Sequence, residues 1–265
     1  HTGEFQNILR DVGQPRSVVS AMLRGRDDAM LLAMLGRGAI AYRSGRFASI
    51  ATTKAMPSSS FVISIAEASD GNIWLGTRDA GLVRVQGERV SRHTERLPDL
   101  KINCLLPGNA GELLIGTDRG VGRWNGTEIT SSGVPTALQQ TTALNMIRDR
   151  ASNIWIAAGS RGLLRQSRNG SVQSASEARW NVATVFEDRD GNVWIGTDRG
   201  LERWRDPVFT TYSAAQGMPA DAAGPLYADE SGRVWFGPSS GGLFWIRNGV
   251  VTEVRHAGLA DDVVY

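Results

Sequence analysis

The chain reads as an all-β protein, a β-propeller of four-stranded antiparallel blades, and three observations carry that expectation. The first is one stretch, Val185–Leu201 (VFEDRDGNVWIGTDRGL), in which short apolar runs are separated by turns at Asp190-Gly191 and Asp198-Arg199-Gly200. Asp-Gly between apolar runs signals a tight two-residue hairpin, because glycine takes positive φ at little cost. The second is that the stretch occurs six times. Its tryptophan position falls at Leu31, Trp74, Leu114, Trp155, Trp194 and Trp235, spaced 43, 40, 41, 39 and 41 residues apart. Repetition at ~40–45 residues with several strands per unit indicates propeller blades. The third is the second strand of each unit (MLLA, IWLG, LLIG, IWIA, VWIG, VWFG), which is apolar throughout. A strand with one wet face alternates, so a continuous run means that both faces are covered, as they are in stacked blades.

The elements follow in order. Residues 1–10 hold one strand, Phe5–Leu9. Blades are expected at about 18–50, 61–94, 101–131, 142–175, 181–212 and 225–255, each with strands A to D in meander order, and a Ser/Pro-rich connector at Met56–Ser60 precedes the second. Asn125-Gly126, Asn169-Gly170 and Asn248-Gly249 supply C–D turns. The closing piece, Gly258–Tyr265, resembles the lead-in to another strand A, and Phe5–Leu9 has the character of an outermost strand. The two ends are therefore expected to belong to one further blade, making the parent seven-bladed. All of this forms a single domain, 1–265.

Composition narrows the function classes. The chain has 265 residues, 41% of them hydrophobic, and its 31 glycines fall periodically at turns. Lys+Arg 29 against Asp+Glu 27 gives +2, without the clustered cationic surface that nucleic-acid binding needs. The longest apolar run, Ala29–Leu35, is far short of the ~18 residues of a membrane span. The chain starts at His1, so it reads as a processed or excised segment without a signal peptide.

Candidate sites are few. The lone cysteine, Cys104, falls in a strand-A column of small or weakly polar residues (Ala21, Ser64, Cys104, Asn145, Thr184, Pro225) and reads as a packing thiol. None of the three histidines (His1, His93, His256) lies in that column to activate it. No metal-ligand spacing appears, so neither a metal nor a cofactor is expected, and no catalytic residue is assigned. The tryptophan column reads as inter-blade core, with a ligand platform as the sharper alternative. Arg84, Arg123, Arg165 and Arg203 lie in strand C and are expected to pair with carboxylates of the next blade, among Glu67, Asp149 and Glu187. Arg37, Arg78, Arg119, Arg161 and Arg199 lie in the B–C turns, which share one face with the D–A connections and rim the central mouth. There they either pair with Asp79, Asp118 and Asp198, stay solvated, or hold a carboxylate or sulfate. Trp180, just before strand A of the fifth blade, is the aromatic placed to reach that face.

The motif itself resembles a known family. DGNIWLGTRDAGL, DRDGNVWIGTDRGL and ESGRVWFGPSSGGL are similar to the two-component regulator propeller repeat, D-x-x-G-x-[LIV]-W-[IVF]-G-T-x-x-G-L. Leu31 and Leu114 stand at the tryptophan position in two copies, and Ala157-Ala158 and Gly237-Pro238 replace Gly-Thr in two others. The resemblance implies a non-catalytic, periplasmic sensor region of a bacterial membrane receptor with histidine-kinase or diguanylate-cyclase output. It implies a small-molecule or oligosaccharide ligand, membrane attachment only through segments outside this chain, and a homodimer in the full receptor. The alternatives are a propeller lyase of the streptogramin-lyase type and a protein–protein scaffold. Such lyases follow the tryptophan with Phe-Thr and carry a catalytic histidine, unlike the Trp-Ile-Gly-Thr here.

Overall fold

The computed structural model describes residues 18–51, 61–175, 180–205, 208–219, 224–238 and 242–254. The expected strand Phe5–Leu9, the connector Met56–Ser60, the piece Gly258–Tyr265, His1 and His256 lie outside them. Blade one is β1–β4 (Val19–Arg24, Met30–Met34, Gly38–Arg43, Arg46–Ala51) and blade two β5–β8 (Val62–Glu67, Ile73–Thr77, Leu82–Gln86, Arg89–His93). Blade three is β9–β12 (Ile102–Pro107, Leu113–Thr117, Val121–Trp124, Ile129–Thr130), followed by the one-turn helix α1 (Thr136–Gln139). Blade four is β13–β16 (Asn145–Arg148, Ile154–Ala157, Leu163–Gln166, Val172–Ser174). Blade five is β17–β20 (Val182–Glu187, Val193–Thr197, Gly200–Arg205, Val208–Tyr212) and blade six β21–β24 (Leu226–Ala228, Val234–Phe236, Phe244–Arg247, Val250–Glu253). Every blade is a four-stranded antiparallel meander. First strands pack on first strands, β1 on β5, β5 on β9, β9 on β13, β13 on β17 and β17 on β21, which makes the described residues a propeller of six blades with strand A innermost; the seventh blade expected from the two chain ends lies outside them. Among the described residues no helix is long and apolar enough to cross a membrane.

The strand-A column works as a stitch between blades. Its members Ala21, Ser64, Cys104, Asn145 and Thr184 lie directly opposite Ala33, Gly76, Gly116, Ala157 and Gly196 of strand B. Ser64 Oγ donates to the carbonyl of Ile102 in blade three (3.2 Å), and Cys104 Sγ to that of Ala143 in blade four (3.6 Å). Asn145 Oδ1 accepts the Val185 N–H of blade five (3.2 Å). Burial pushes the Cys104 thiol up to about 12, which fits a packing role. At Gly76 and Gly116 the next blade occupies the side-chain space: a Cβ on Gly76 would lie 2.6 Å from Ile102 Cγ2, and one on Gly116 2.9 Å from Ala143 O. The motif threonine then closes the B–C turn. Thr77, Thr117 and Thr197 donate to the carbonyls of Gly81, Gly120 and Gly200 (2.8, 2.6 and 2.9 Å).

The A–B turns differ from the expected two-residue hairpin. Asp188 N–H donates to Asn192 O and Gly191 N–H to Asp188 O, so three residues form the loop and Gly191 (φ 79°) is its last. This is a type I turn followed by a left-handed residue, the common three-residue solution. The carboxylate before the loop has a second task, bonding both the loop and the tryptophan. Trp155, Trp194 and Trp235 donate their indole N–H to Asp149, Asp188 and Asp229 (2.8, 2.7 and 2.8 Å). Burial opposes ionisation of Asp229, but donors on Trp235, Ser231 and Arg233 outweigh it and hold its carboxyl well below the usual range. In blade two Ala68 stands at the carboxylate position, and Trp74 Nε1 is buried without a partner among the described residues.

Trp74 and Trp155 are fully buried and Trp194 nearly so, in clusters that each join one blade to the next. This places them in the inter-blade core. Trp74 meets Trp124 of blade three (centroids 5.1 Å apart) and Trp155 meets Trp204 of blade five (4.9 Å). Among the described residues Arg84, Arg123 and Arg165 do not pair with the next blade's carboxylates as expected. Arg84 lies over both Trp74 and Trp124 (5.3 and 5.7 Å) and bonds Asp70 of its own blade (3.4 Å). Arg165 covers Trp155 and Trp204 (5.3 and 5.6 Å), Arg203 covers Trp194 and Tyr212 (5.7 and 5.9 Å), and Arg123 pairs with Glu112 of its own blade. The reason is register: each arginine stands directly across from its blade's strand-B residue, which is Trp74, Trp155 or Trp194 in three cases. The carboxylates are engaged elsewhere. Glu67 and Glu187 accept the backbone N–H of Arg26 and Arg150 from the preceding blade (2.9 and 3.0 Å), while Asp149 holds Trp155.

Two substitutions test this architecture. Gly116→Ala forces a methyl to within 2.4 Å of Cys104 Sγ and is expected to lower unfolding free energy by about 1–3 kcal/mol in denaturant titration. Ala68→Asp supplies the acceptor that Trp74 lacks and is expected to raise the unfolding free energy by about 1 kcal/mol, seen as a higher midpoint in the same titration. An unchanged or lower midpoint would mean that the carboxylate's desolvation cancels the new bond.

Candidate ligand-binding rim

The B–C turns and the connections leading into strand A meet on one face, tied by backbone bonds such as Arg78 N–H to Phe61 O (2.9 Å) and Asp198 N–H to Asn181 O (3.2 Å). The five turn arginines, Arg37, Arg78, Arg119, Arg161 and Arg199, are all exposed there. Four of them follow one rule: each is held by a residue on the connection entering its own blade. Arg78 lies over the Phe61 ring (5.7 Å) and Arg119 pairs with Asp99 (3.2 Å). Arg161 donates to Thr141 Oγ1 (2.6 Å), and Arg199 lies 3.8 Å from the centroid of Trp180. Arg37 stands in the equivalent turn of blade one.

Of the alternatives open from the sequence, pairing with Asp79, Asp118 and Asp198 is not found for these arginines among the described residues. Asp118 is held by Lys101 (3.0 Å) and Asn103 (2.8 Å). Burial pushes its carboxyl up, but those two donors and the lysine charge prevail and it sits below its usual range. Asp198 accepts the Asn181 N–H (3.2 Å). A turn residue cannot easily reach its sequence neighbour's head group, whereas the incoming connection passes directly beneath it.

Trp180 reaches this face, but one side of its ring is covered by Arg199, so it supports a guanidinium. Its indole N–H also bonds Glu202, a carboxylate missed in the sequence. Glu202 is only 7% exposed and stands in strand C, directly opposite Ile195, where blades two and four carry Val83 and Leu164. A charged residue replacing an apolar one at this phase was the available signal. Burial raises its carboxyl pKa, with the indole bond opposing. His93, the one histidine among the described residues, packs against Trp74 and Trp124 (5.8 and 4.7 Å), and burial, with Arg84 nearby, lowers its pKa. Among the described residues no group of histidine, cysteine and carboxylates is arranged to hold a metal.

With this geometry in hand, the likenesses to known proteins are informative. The family model described as the two component regulator propeller matches residues 56–79 and 179–199. The two matched segments each cover the entry to a blade and its first two strands, in the second and fifth blades. No curated protein sequence matches. Among solved structures, the extracellular domain of a hybrid two component system from B. thetaiotaomicron is similar at 17% identity and a TM-score of 0.74, over 97% of this chain. The chain spans 37% of the length of that domain. A streptogramin B lyase is similar at 13% identity and a TM-score of 0.74, over 94% of this chain and 87% of the lyase. A virginiamycin B lyase from Staphylococcus aureus, in a catalytically inactive form with quinupristin, aligns at 11% identity over 83% and 77% of the two chains, with a TM-score of 0.65. At these identities the likeness is one of fold.

Glu202 gives a test of the rim's support. A carboxyl whose folded pKa is raised contributes stability below its unfolded pKa and loses it as pH rises through the folded value. Glu202→Gln is therefore expected to raise the melting temperature at neutral pH while leaving it nearly unchanged in mild acid, as measured by thermal melts across pH.

Proposed function

We propose that this propeller is the extracytoplasmic sensor region of a bacterial signal-transduction receptor, with histidine-kinase or diguanylate-cyclase output, and that it catalyses no reaction. Its ligand is a polar or acidic small molecule, such as a glycan fragment, bound at the rim. The observation that supports this most is the set of five exposed guanidinium groups on equivalent turns of one face, four of them steadied by the connection below. Guanidinium groups make charge-assisted, bidentate contacts with carboxylates and sulfates, and a group already steadied gives up less freedom on binding. The repeat family and the likeness to a two-component extracellular domain support the receptor assignment and its place outside the cytoplasm.

The lyase reading rests on shared fold, and fold does not carry chemistry. The packing of His93 between two tryptophans speaks for a structural role of that ring.

A thermal-shift screen of acidic and sulfated oligosaccharides on the chain, Arg161→Ala and Trp180→Ala tests the proposal. The expected result is a ligand that stabilises the parent chain and binds each variant about tenfold more weakly, the loss of roughly one charge-assisted contact. Undiminished binding in both variants would move the site off the rim. Turnover of streptogramin B, followed by mass spectrometry, would replace the sensor reading.

A further inference from the structure

The junctions between blades are not filled alike. At the junction of blades two and three, the ring pair Trp74–Trp124 lies under Arg84; between blades four and five, Trp155–Trp204 lies under Arg165. Strand register identifies the equivalent positions between blades three and four. Leu114 stands opposite Arg123 as Trp74 stands opposite Arg84, and Gln166 stands opposite Ile154 as Trp204 stands opposite Val193. Both indoles are missing while the arginine is kept.

A cavity of about 270 Å³ opens at this junction. Its apolar wall includes Leu114, Leu138 of α1, Met146 and Ile154, and Arg123 and Gln166 border it. The same correlation appears between blades one and two. There Leu31 holds the tryptophan position and a larger cavity opens, but Ala41 takes the arginine's place. Only the junction of blades three and four, among those described, pairs an empty ring site with its guanidinium. Glu112 accepts from Arg123 much as Asp70 does from Arg84. Arg148 also lines the cavity, and its guanidinium makes no hydrogen bond or ion pair among the described residues.

We infer that this cavity is a binding site for a small planar aromatic acid. The ring takes the place that an indole fills at the neighbouring junctions, stacked beneath Arg123, and the carboxylate meets Arg148. The chain itself thus supplies the template for the ligand's shape. The volume agrees: an apolar cavity of ~150 Å³ accepts benzene, so about 270 Å³ suits a two-ring molecule. Arginine over an aromatic face is favourable, most so where water is excluded. This site is separate from the rim and stands whether or not the rim binds a glycan.

Indole-3-acetate and indole serve as probes, titrated into the whole chain by calorimetry, with ligand-observed NMR as a second readout. Indole-3-acetate is expected to bind saturably and more tightly than indole. Leu114→Trp, which fills the ring site from within, is expected to weaken both probes about tenfold or more and to melt no lower than the parent. Arg148→Ala, on the cavity's edge, is expected to weaken indole-3-acetate to the level of indole and leave indole unchanged. Absence of saturable binding to the parent chain, or undiminished binding to a folded Leu114→Trp chain, would overturn the site. Equal affinity of the parent for the two probes would overturn the assignment of an acid.

Discussion

An indole buried between blades sets two demands at once, and the rest of each blade follows from meeting them. The ring needs a partner surface, which the next blade supplies, and the N–H needs an acceptor, because burying an unpaired donor costs about 1–3 kcal/mol. Asp149, Asp188 and Asp229 meet the second demand from the turn six residues earlier. The same carboxylates order that turn by accepting backbone N–H groups, as Asp188 does from Asp190 and Asn192. One side chain therefore fixes a hairpin, orients a ring and sets the spacing between blades. Gly76 belongs to the same constraint in blade two, since Trp74 meets Trp124 only if the strands ahead of it approach closely.

The repeat is unevenly kept, and the unevenness is orderly. Where the indole is lost, at Leu31 and Leu114, the carboxylate position holds Gly25 and Gly108, so ring and acceptor disappear together. Blade two alone keeps the ring and lacks the acid. Its Trp74 is correspondingly hemmed in by Trp124, His93 and Arg84, contacts that hold the ring in place of the missing bond.

Architecture was legible in the sequence because it is written six times: period, strand order, the apolar second strand and the small strand-A column all appear in the structure. The strand-C arginines were misread because an arginine's partner depends on what stands across the ladder, and the cross-strand relation to Trp74, Trp155 and Trp194 emerges only with the register. The A–B turn was misread by one residue, since Asp-Gly serves both two- and three-residue loops and the closing bond decides between them. On the rim, the turn arginines could be placed by phase. Their partners could not: Phe61, Asp99, Thr141 and Trp180 lie on connections that do not repeat. Glu202 was hidden for the opposite reason, as a single departure inside a well-kept strand.

Cys104 has a practical consequence. It is the chain's one cysteine, and a thiol enclosed between strands with its pKa raised to about 12 carries almost no thiolate near neutrality. Maleimides and iodoacetamides will leave it alone. A cysteine introduced at an exposed turn would then be the sole addressable sulfur, and a fluorophore or spin label attached there would report from a single known position. The native background is already silent, with no cysteine to remove first.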